Sequence, residues 1–381
     1  MPYAGDRICH DADSHVVELP GWLNEHADPG LRDRLKPLDL GLAGGKAAEA
    51  IERAEARARG GQAEVDLSNS IAGPKGWFAP GAFDPAERSR VLDHLGFASQ
   101  LVFSTFALSQ FLGADRELLY GGARAHNRAI TAFCADDERL LPVGFVPLDD
   151  PGATLREARD AIRFGCRAIA LPLTPPRHIS PTHPDHDGLW ALLEESNVPF
   201  MLHIGFGGSR FIPPGFHANG RPVSDFIGGG ENLRAKDYAA LGHGPAIFLA
   251  ALALDGIFEH FPRLRGGCIE LGASWVVPWL RQIDQAQRMF SRSEPAVKEL
   301  SMRPSDYVRR QVKFTPFAGE DVGWMIEQAG EELFLFSSDY PHPEGTRDPI
   351  GRFEQTLTGA SKDAVERFYA RNFVEMMSGQ G

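Results

Sequence analysis

The sequence predicts an α/β fold, a (β/α)8 TIM barrel, on three observations. Eight short apolar runs bounded by turn residues read as strands: 7–12, 100–103, 141–146, 168–171, 199–203, 267–271, 311–315 and 333–337. Helical patterns lie between most of them, such as ATLREARDAIRF at 153–164 and DGLWALLEES at 187–196, each with turn residues at both ends. Several strands (AIAL, PFML, LFLF) are continuously apolar, the mark of a parallel sheet covered on both faces. An open doubly wound sheet would usually carry a glycine-rich phosphate turn after an early strand, and the chain has none, so the closed barrel is preferred.

The 381 residues read as a single domain, 1–381, with two interruptions. The first, about 41–85 after strand one, is an inserted segment: an Ala/Glu/Arg helix (GKAAEAIERAEARARG) followed by a Gly/Pro/Asn-rich stretch with Trp77 and Phe78. The second, about 205–244 after strand five, is a long Gly/Pro/Arg/His-rich loop, and loops of that length in compact domains commonly act as lids. With 43% hydrophobic residues, 24% charged residues and 25 Phe, a sizeable core is available.

Composition also narrows the partners. Fifty-one acidic against 39 basic residues give a formal charge of −12, which repels phosphate backbones, so no nucleic acid is expected. The longest uninterrupted apolar run, 246–254, has nine residues against the ~20 needed to span a bilayer, so no membrane segment is expected. The N-terminal MPYAGDRICHDADSH lacks a basic stretch followed by an apolar block, which points to the cytoplasm. Cys9, Cys134, Cys166 and Cys268 form no CxxC pair and read as buried free thiols. Symmetric oligomers being common, a homodimer is the expected assembly.

In a barrel, chemistry gathers where strands end, so polar residues that terminate apolar runs are the informative ones. Strand one gives CHDADSH, in which period-two alternation sets Asp11, Asp13 and His15 on one face. Strand five ends at His203, strand six carries Glu270, and strand eight ends LFLFSSDYPHPEG with Asp339. Two imidazoles and two carboxylates meeting at one mouth suit a single divalent ion such as Zn2+ or Mn2+. Asp13, His15, His203 and Asp339 are the candidate functional groups there, Glu270 stays open beside them, and Asp11 is expected to be structural.

Asp339 stands out, because a carboxylate directly after LFLFSS is costly to desolvate without a cation or strong donors. Glu270 is a ligand, an orienting group or a hydrogen-bonding partner of a neighbouring loop. His342 sits between two prolines in YPHPEG. The loop PPRHISPTHPDHDG, with His178, His183 and His186, has no rigid ligand spacing and reads instead as a mouth where Arg177 meets an anionic substrate. Arg210 and Arg221 in the second long loop are similar candidates, and Phe206, Phe211 and Phe216 would supply apolar lid surface.

With these residues placed, the chain resembles the amidohydrolase superfamily, in its amidohydrolase-related branch that includes 2-amino-3-carboxymuconate-6-semialdehyde decarboxylase. The resemblance rests on DADSHVVE at 11–18, FMLHIG around His203, HFPRLRGGCIELGASWVVPWL at 260–280 and FSSDYPHPEG at 336–345. It implies a (β/α)8 barrel with one divalent metal, held by an acid-or-His-x-His pair on strand one, a His on strand five and an Asp on strand eight. Asp13, His15, His203 and Asp339 match those positions. Strand six departs: many members carry a His near the metal where this chain has Glu270.

The resemblance implies non-oxidative decarboxylation of a small aromatic or dienoic carboxylate, with Asp339 delivering the proton to the carbon that loses CO2. Glu270 would act beside it, and Arg177, Arg210 and His342 would bind the substrate. The alternative is hydrolysis of an amide, lactone or C–C bond by metal-activated water, with Asp339 as base. A non-catalytic binding barrel is disfavoured by the presence of both the strand-one pair and the strand-eight Asp.

Overall fold

The computed structural model describes residues 2–40, 44–60, 66–67, 69–174, 179–206, 212–221 and 235–379. Seven parallel strands pair in sequence order: β1 (His10–Val16), β2 (Ser99–Ser104), β3 (Leu140–Phe145), β4 (Ala168–Ala170), β5 (Phe200–His203), β6 (Gly266–Ile269) and β7 (Val312–Phe314). Helices lie between most of them, as a parallel sheet requires. The eighth apolar run is present as two isolated parallel bridges, Phe334 to Phe314 on β7 and Tyr340 to Ser14 on β1. Its backbone nevertheless bonds to both neighbours: Leu335 N–H donates to Phe314 O, and Ala12 N–H donates to Phe336 O.

Helix starts and stops follow the local chemistry. Asp84 and Asp150 accept from the backbone of Glu87 and Ala153, each followed by proline at the first helical position, and left-handed Gly96 and Gly165 end the helices Pro85–Leu95 and Pro151–Phe164. The strands then divide the core by alternation. Leu101, Phe103, Val143, Phe145, Ala168, Ala170, Met201, Ile269 and Leu335 belong to one cluster, while Val102, Ile169, Phe200, Leu202, Cys268 and Phe314 belong to a larger one shared with the helices. All four cysteines are free and buried.

Two sequence expectations shift. Strand one runs 10–16 rather than 7–12, because its polar residues are buried and paired instead of ending the strand. Its register against β2 slips between Asp11 and Ser14, where three steps on β1 match two on β2, a bulge that breaks the simple alternation. Second, the described stretch Ala235–Leu254 has the length and apolarity of a membrane-spanning segment, more than the nine-residue run suggested. It is two helices, Ala235–Ala240 and His243–Leu254, and Phe248, Leu249, Leu252 and Ala253 pack into the main core.

The segment after strand one forms the helix Gly44–Arg59 and a short 3-10 turn, Gly76–Phe78, that docks beside the strand ends. Trp77 Nε1 donates to Glu18 O at 3.1 Å and its ring stacks on Phe106. Gly76 N–H donates to Pro341 O at 2.8 Å, and the Tyr340 hydroxyl donates to Pro80 O at 2.6 Å.

Candidate metal centre

Four strand ends deliver their polar groups to one buried point. Asp13 and His15 come from β1, His203 from the end of β5, Glu270 from the residue after β6, and Asp339 from the segment that bridges back to β1. Asp339 N–H donates to Asp13 O at 2.9 Å and His15 N–H to Tyr340 O at 2.7 Å, so the first and last parts of the chain are locked together at the backbone. Glu270 and Asp339 both adopt left-handed backbone conformations, φ 55° and 54°. Side-chain-bearing residues rarely sit there, and the turn swings each carboxylate out of its strand line toward the centre.

Asp13 Oδ1 is 3.2 Å from Nε2 of both His15 and His203. Glu270 Oε2 is 3.4 Å from His203 Nε2 and 3.8 Å from His15 Nε2, and Asp339 Oδ1 is 3.5 Å from His15 Nε2. One potential ligand atom each from Asp13, His15, His203 and Glu270, and likewise from the overlapping set His15, Glu270, Asp339 and His342, lies within 4.8 Å of all the others in its set. Asp13, His15 and His203 thus share one set with Glu270, while Asp339 meets His15, Glu270 and His342 in the other, so the four expected ligands are divided between two sets joined by His15 and Glu270.

His203 Nδ1 donates to Ile204 O at 2.7 Å, which aims the ring so that Nε2 faces the carboxylate oxygens of Asp13 and Glu270. An imidazole nitrogen and carboxylate oxygens held this close need a proton or a cation between them. The buried His15 nitrogens make no hydrogen bond among the described residues. Burial and the facing His342 pull His15 down to about 3, so it is a neutral donor near pH 7. Burial alone would raise Asp13, but the two imidazoles hold it well below the usual carboxylate range. Imidazole nitrogens and carboxylate oxygens are the donor set of a borderline or hard divalent ion.

The surroundings shape the site. Phe103 lies 4.2 Å from the His203 ring by centroids, Phe206 lies 5.1 Å from it, and His342 stacks on His15 at 3.8 Å. Asp11 is structural: it accepts from Ser338 N–H, the Ser338 hydroxyl and Gln100 Nε2, and the bulge keeps it out of the cluster. Arg177, Arg210, His178 and Phe211 lie outside the described residues. His183 and His186 join no metal-capable group among the described residues, Arg221 is exposed, and Phe216 is exposed rather than closed over the mouth.

Three residues escaped sequence reasoning. Lys75 places its buried Nζ, with no hydrogen-bond partner among the described residues, 5.4 Å over the Tyr340 ring and in the field of Asp339; burial pulls it down to about 8. Thr105 contacts His342, and Glu18 holds the loop that carries Thr105. Glu18 stands in the DADSHVVE motif, which was its one available signal, whereas Lys75 and Thr105 lie in loops with no pattern of their own.

The amidohydrolase family model matches residues 10–372, almost the whole chain. The chain belongs to the amidohydrolase family. Among solved structures, this amidohydrolase is similar to one from Mycobacterium avium subsp. paratuberculosis, at 19% identity and TM-score 0.74, covering 98% of this chain and 99% of that one. It is also similar to 5-carboxyvanillate decarboxylase from Novosphingobium aromaticivorans, a structure with bound manganese and 3-methoxy-4-hydroxy-5-nitrobenzoic acid, at 16% identity and TM-score 0.66, covering 98% of each chain. A third, 2,6-dihydroxybenzoate decarboxylase from Rhizobium, has 17% identity and TM-score 0.62, covering 98% of this chain and 100% of that one. No curated protein gives a significant match.

Proposed function

We propose that this amidohydrolase is a divalent-metal-dependent carboxy-lyase that removes CO2 from a small aromatic or dienoic carboxylate without a redox cofactor. The observation that carries the reading is the buried convergence of Asp13, His15, His203 and Glu270, with both His15 nitrogens outside any hydrogen bond among the described residues, in a family whose similar structures include manganese-bound decarboxylases of hydroxylated benzoates. In this reading the eight strand segments form one closed (β/α)8 barrel, a single domain over 1–381, with 41–85 as an insertion and 205–244 as a lid-like segment whose last part is helical, in Ala235–Ala240 and the start of His243–Leu254.

Asp13, His15, His203 and Asp339 would hold one Mn2+ or Zn2+, and Glu270 offers a further oxygen to the same point. When bound, the ion supplies positive charge that anchors the substrate's carboxylate and an adjacent oxygen. Arg177, Arg210 and His342 would bind the substrate, and the Lys75 ammonium adds a cation at the same edge. Phe103 and Phe206 line the centre with apolar surface, which favours loss of neutral CO2 from a charged carboxylate. Asp339, as the carboxylic acid, protonates the carbon as the C–C bond breaks. We place the enzyme in the cytoplasm as a homodimer.

The reaction is tested by incubating the manganese-loaded enzyme with ortho-hydroxylated benzoates and dienoic carboxylates, once in deuterium oxide and once in heavy-oxygen water. Decarboxylation releases CO2 and leaves one deuterium on the carbon that bore it. Heavy oxygen in a new product carboxylate, with no CO2, would make the enzyme a hydrolase.

A further inference from the structure

The helix Pro85–Leu95 sends one charge into the core. Arg88 is fully buried, and a guanidinium is almost never buried unless it is paired. No carboxylate contacts it among the described residues, and Asp11 acts on it only through its field. Its donors go elsewhere: Nε donates to Gly81 O at 2.8 Å, Nη1 reaches the Ser14 hydroxyl at 3.5 Å, and Nη2 donates to His15 O. Its Cζ lies 5.2 Å from the Tyr340 ring centroid and 5.7 Å from that of Phe133.

These contacts fall on the seam between β1 and the closing segment. There Ser14 and Tyr340 make only an isolated bridge, and the register of β1 against β2 slips between Asp11 and Ser14. Side chains supply what the ladder lacks. The Ser14 hydroxyl donates to Leu101 O at 2.8 Å, and Arg88 takes the carbonyl of His15, whose N–H donates to Tyr340 O, so the His15 backbone is held at both its N–H and its C=O. The anchor is fixed in turn: Glu87 accepts from Gly81 N–H at 2.8 Å while Arg88 donates to Gly81 O, and the neighbouring Pro80 O accepts from the Tyr340 hydroxyl. Tyr340 follows Asp339 directly, so one guanidinium reaches the backbone of one candidate ligand and the ring beside another.

We propose that Arg88 is a positioning residue for the metal centre: its planar fork, serving two carbonyls at once while lying over an aromatic ring, clamps β1 to the closing segment and so fixes the approach of His15 and Asp339 toward one ion. A buried charge is costly to desolvate, and an apolar side chain of similar volume would fill the same space; what it could not do is bind two carbonyls across the seam. The clamp involves no titration, because a guanidinium keeps its proton in a protein interior. The inference rests on the metal-dependent reading of the site.

The test compares Arg88→Met, which removes the donors and keeps an unbranched stem, with Arg88→Lys, which keeps the charge but not the fork. In titration calorimetry on chelator-treated protein, Arg88→Met is expected to bind Mn2+ about 10–100-fold more weakly than wild type, the range found when a group supporting a metal ligand is removed, with Arg88→Lys in between. The visible spectrum of the cobalt-loaded protein, which reads ligand geometry, is expected to shift in Arg88→Met and less in Arg88→Lys. Without any metal, the His15 and Asp339 amides, which bond across the seam, are expected to exchange about tenfold or more faster in Arg88→Met when measured relative to the Ile169 amide, which bonds to Pro199 O away from it. A purely structural residue would lower Tm and leave these readouts alone. A wild-type Mn2+ Kd or a wild-type exchange ratio in Arg88→Met overturns the inference, as it does in Arg88→Lys should Arg88→Met not fold. A wild type that binds no divalent ion would instead refute the metal reading, and the exchange ratio would still decide the clamp.

Discussion

Stripping and restoring the metal gives a quantitative check on the cluster. Asp13 Oδ1 lies 3.2 Å from both imidazole nitrogens, so it is the carboxylate most central to the cradle, and Asp13→Asn removes its charge while keeping its volume. An ion that binds only the folded state stabilises it by RT ln(1 + [M]/Kd), or about 2.7 kcal/mol at a hundredfold excess over Kd. For a chain of this length each kcal/mol moves Tm by about 1–2 °C, so Mn2+ added to chelator-treated wild type should raise Tm by roughly 3–5 °C. If the Asn variant binds about a hundredfold more weakly, the same Mn2+ concentration contributes only about 0.4 kcal/mol, and the shift falls below about 1 °C. Asp11→Asn, two residues away, is the control. One of its two accepting oxygens becomes an NH2 that cannot accept from Gln100 Nε2 or the Ser338 hydroxyl, so it should lower Tm about equally with and without Mn2+. Scanning calorimetry reads all three proteins. Equal Mn2+-induced shifts in wild type and Asp13→Asn, or none in wild type, would refute the cradle.

Asp339→Asn should lower turnover by about 10³-fold with an unchanged far-UV spectrum, since the proton donor is lost and the shape kept; near-normal turnover in a CO2-release assay would remove Asp339 from that role. Gly81→Ala should cost about 2–4 kcal/mol in urea unfolding, because Gly81 has φ +65° and an added Cβ would lie 2.6 Å from the Arg88 Cα, a backbone atom that cannot yield. Glu157 is raised from 4.5 to about 7, by burial first and against the pull of Arg124. A carboxyl with a raised folded-state pKa keeps its proton longer in the folded state, so stability is lost as pH rises from about 4.5 to 7. Glu157→Gln should flatten that decline by on the order of 1–3 kcal/mol, and parallel stability curves for the two proteins would contradict it.

Much of the site was legible because strand ends announce themselves. A polar residue closing an apolar run is costly unless the fold gives it a partner, and that rule alone singled out His203, Glu270 and Asp339. The strand-one pair was legible too, but its boundaries were not. Asp11, Asp13 and Ser14 read as the polar end of a strand, whereas hydrogen bonds from β2 and from the closing segment keep β1 extended to Val16. The same cross-chain bonds explain why Asp11 and Asp13 part company despite their spacing: the bulge lies between them.

The amino-acid sequence by itself determined the alternation of strand and helix, the apolar strands buried on both faces, and the residue types gathered at the strand ends, since all three follow from local pattern and desolvation cost. The tertiary structure decided the rest. The left-handed turns at Glu270 and Asp339 bring two carboxylates to one point, the ring of His203 is aimed by its bond to Ile204, and the loop of Thr105 meets His342 across 237 positions of chain. These depend on where a proton or a backbone angle is held by residues far apart in sequence, and no local period encodes such contacts.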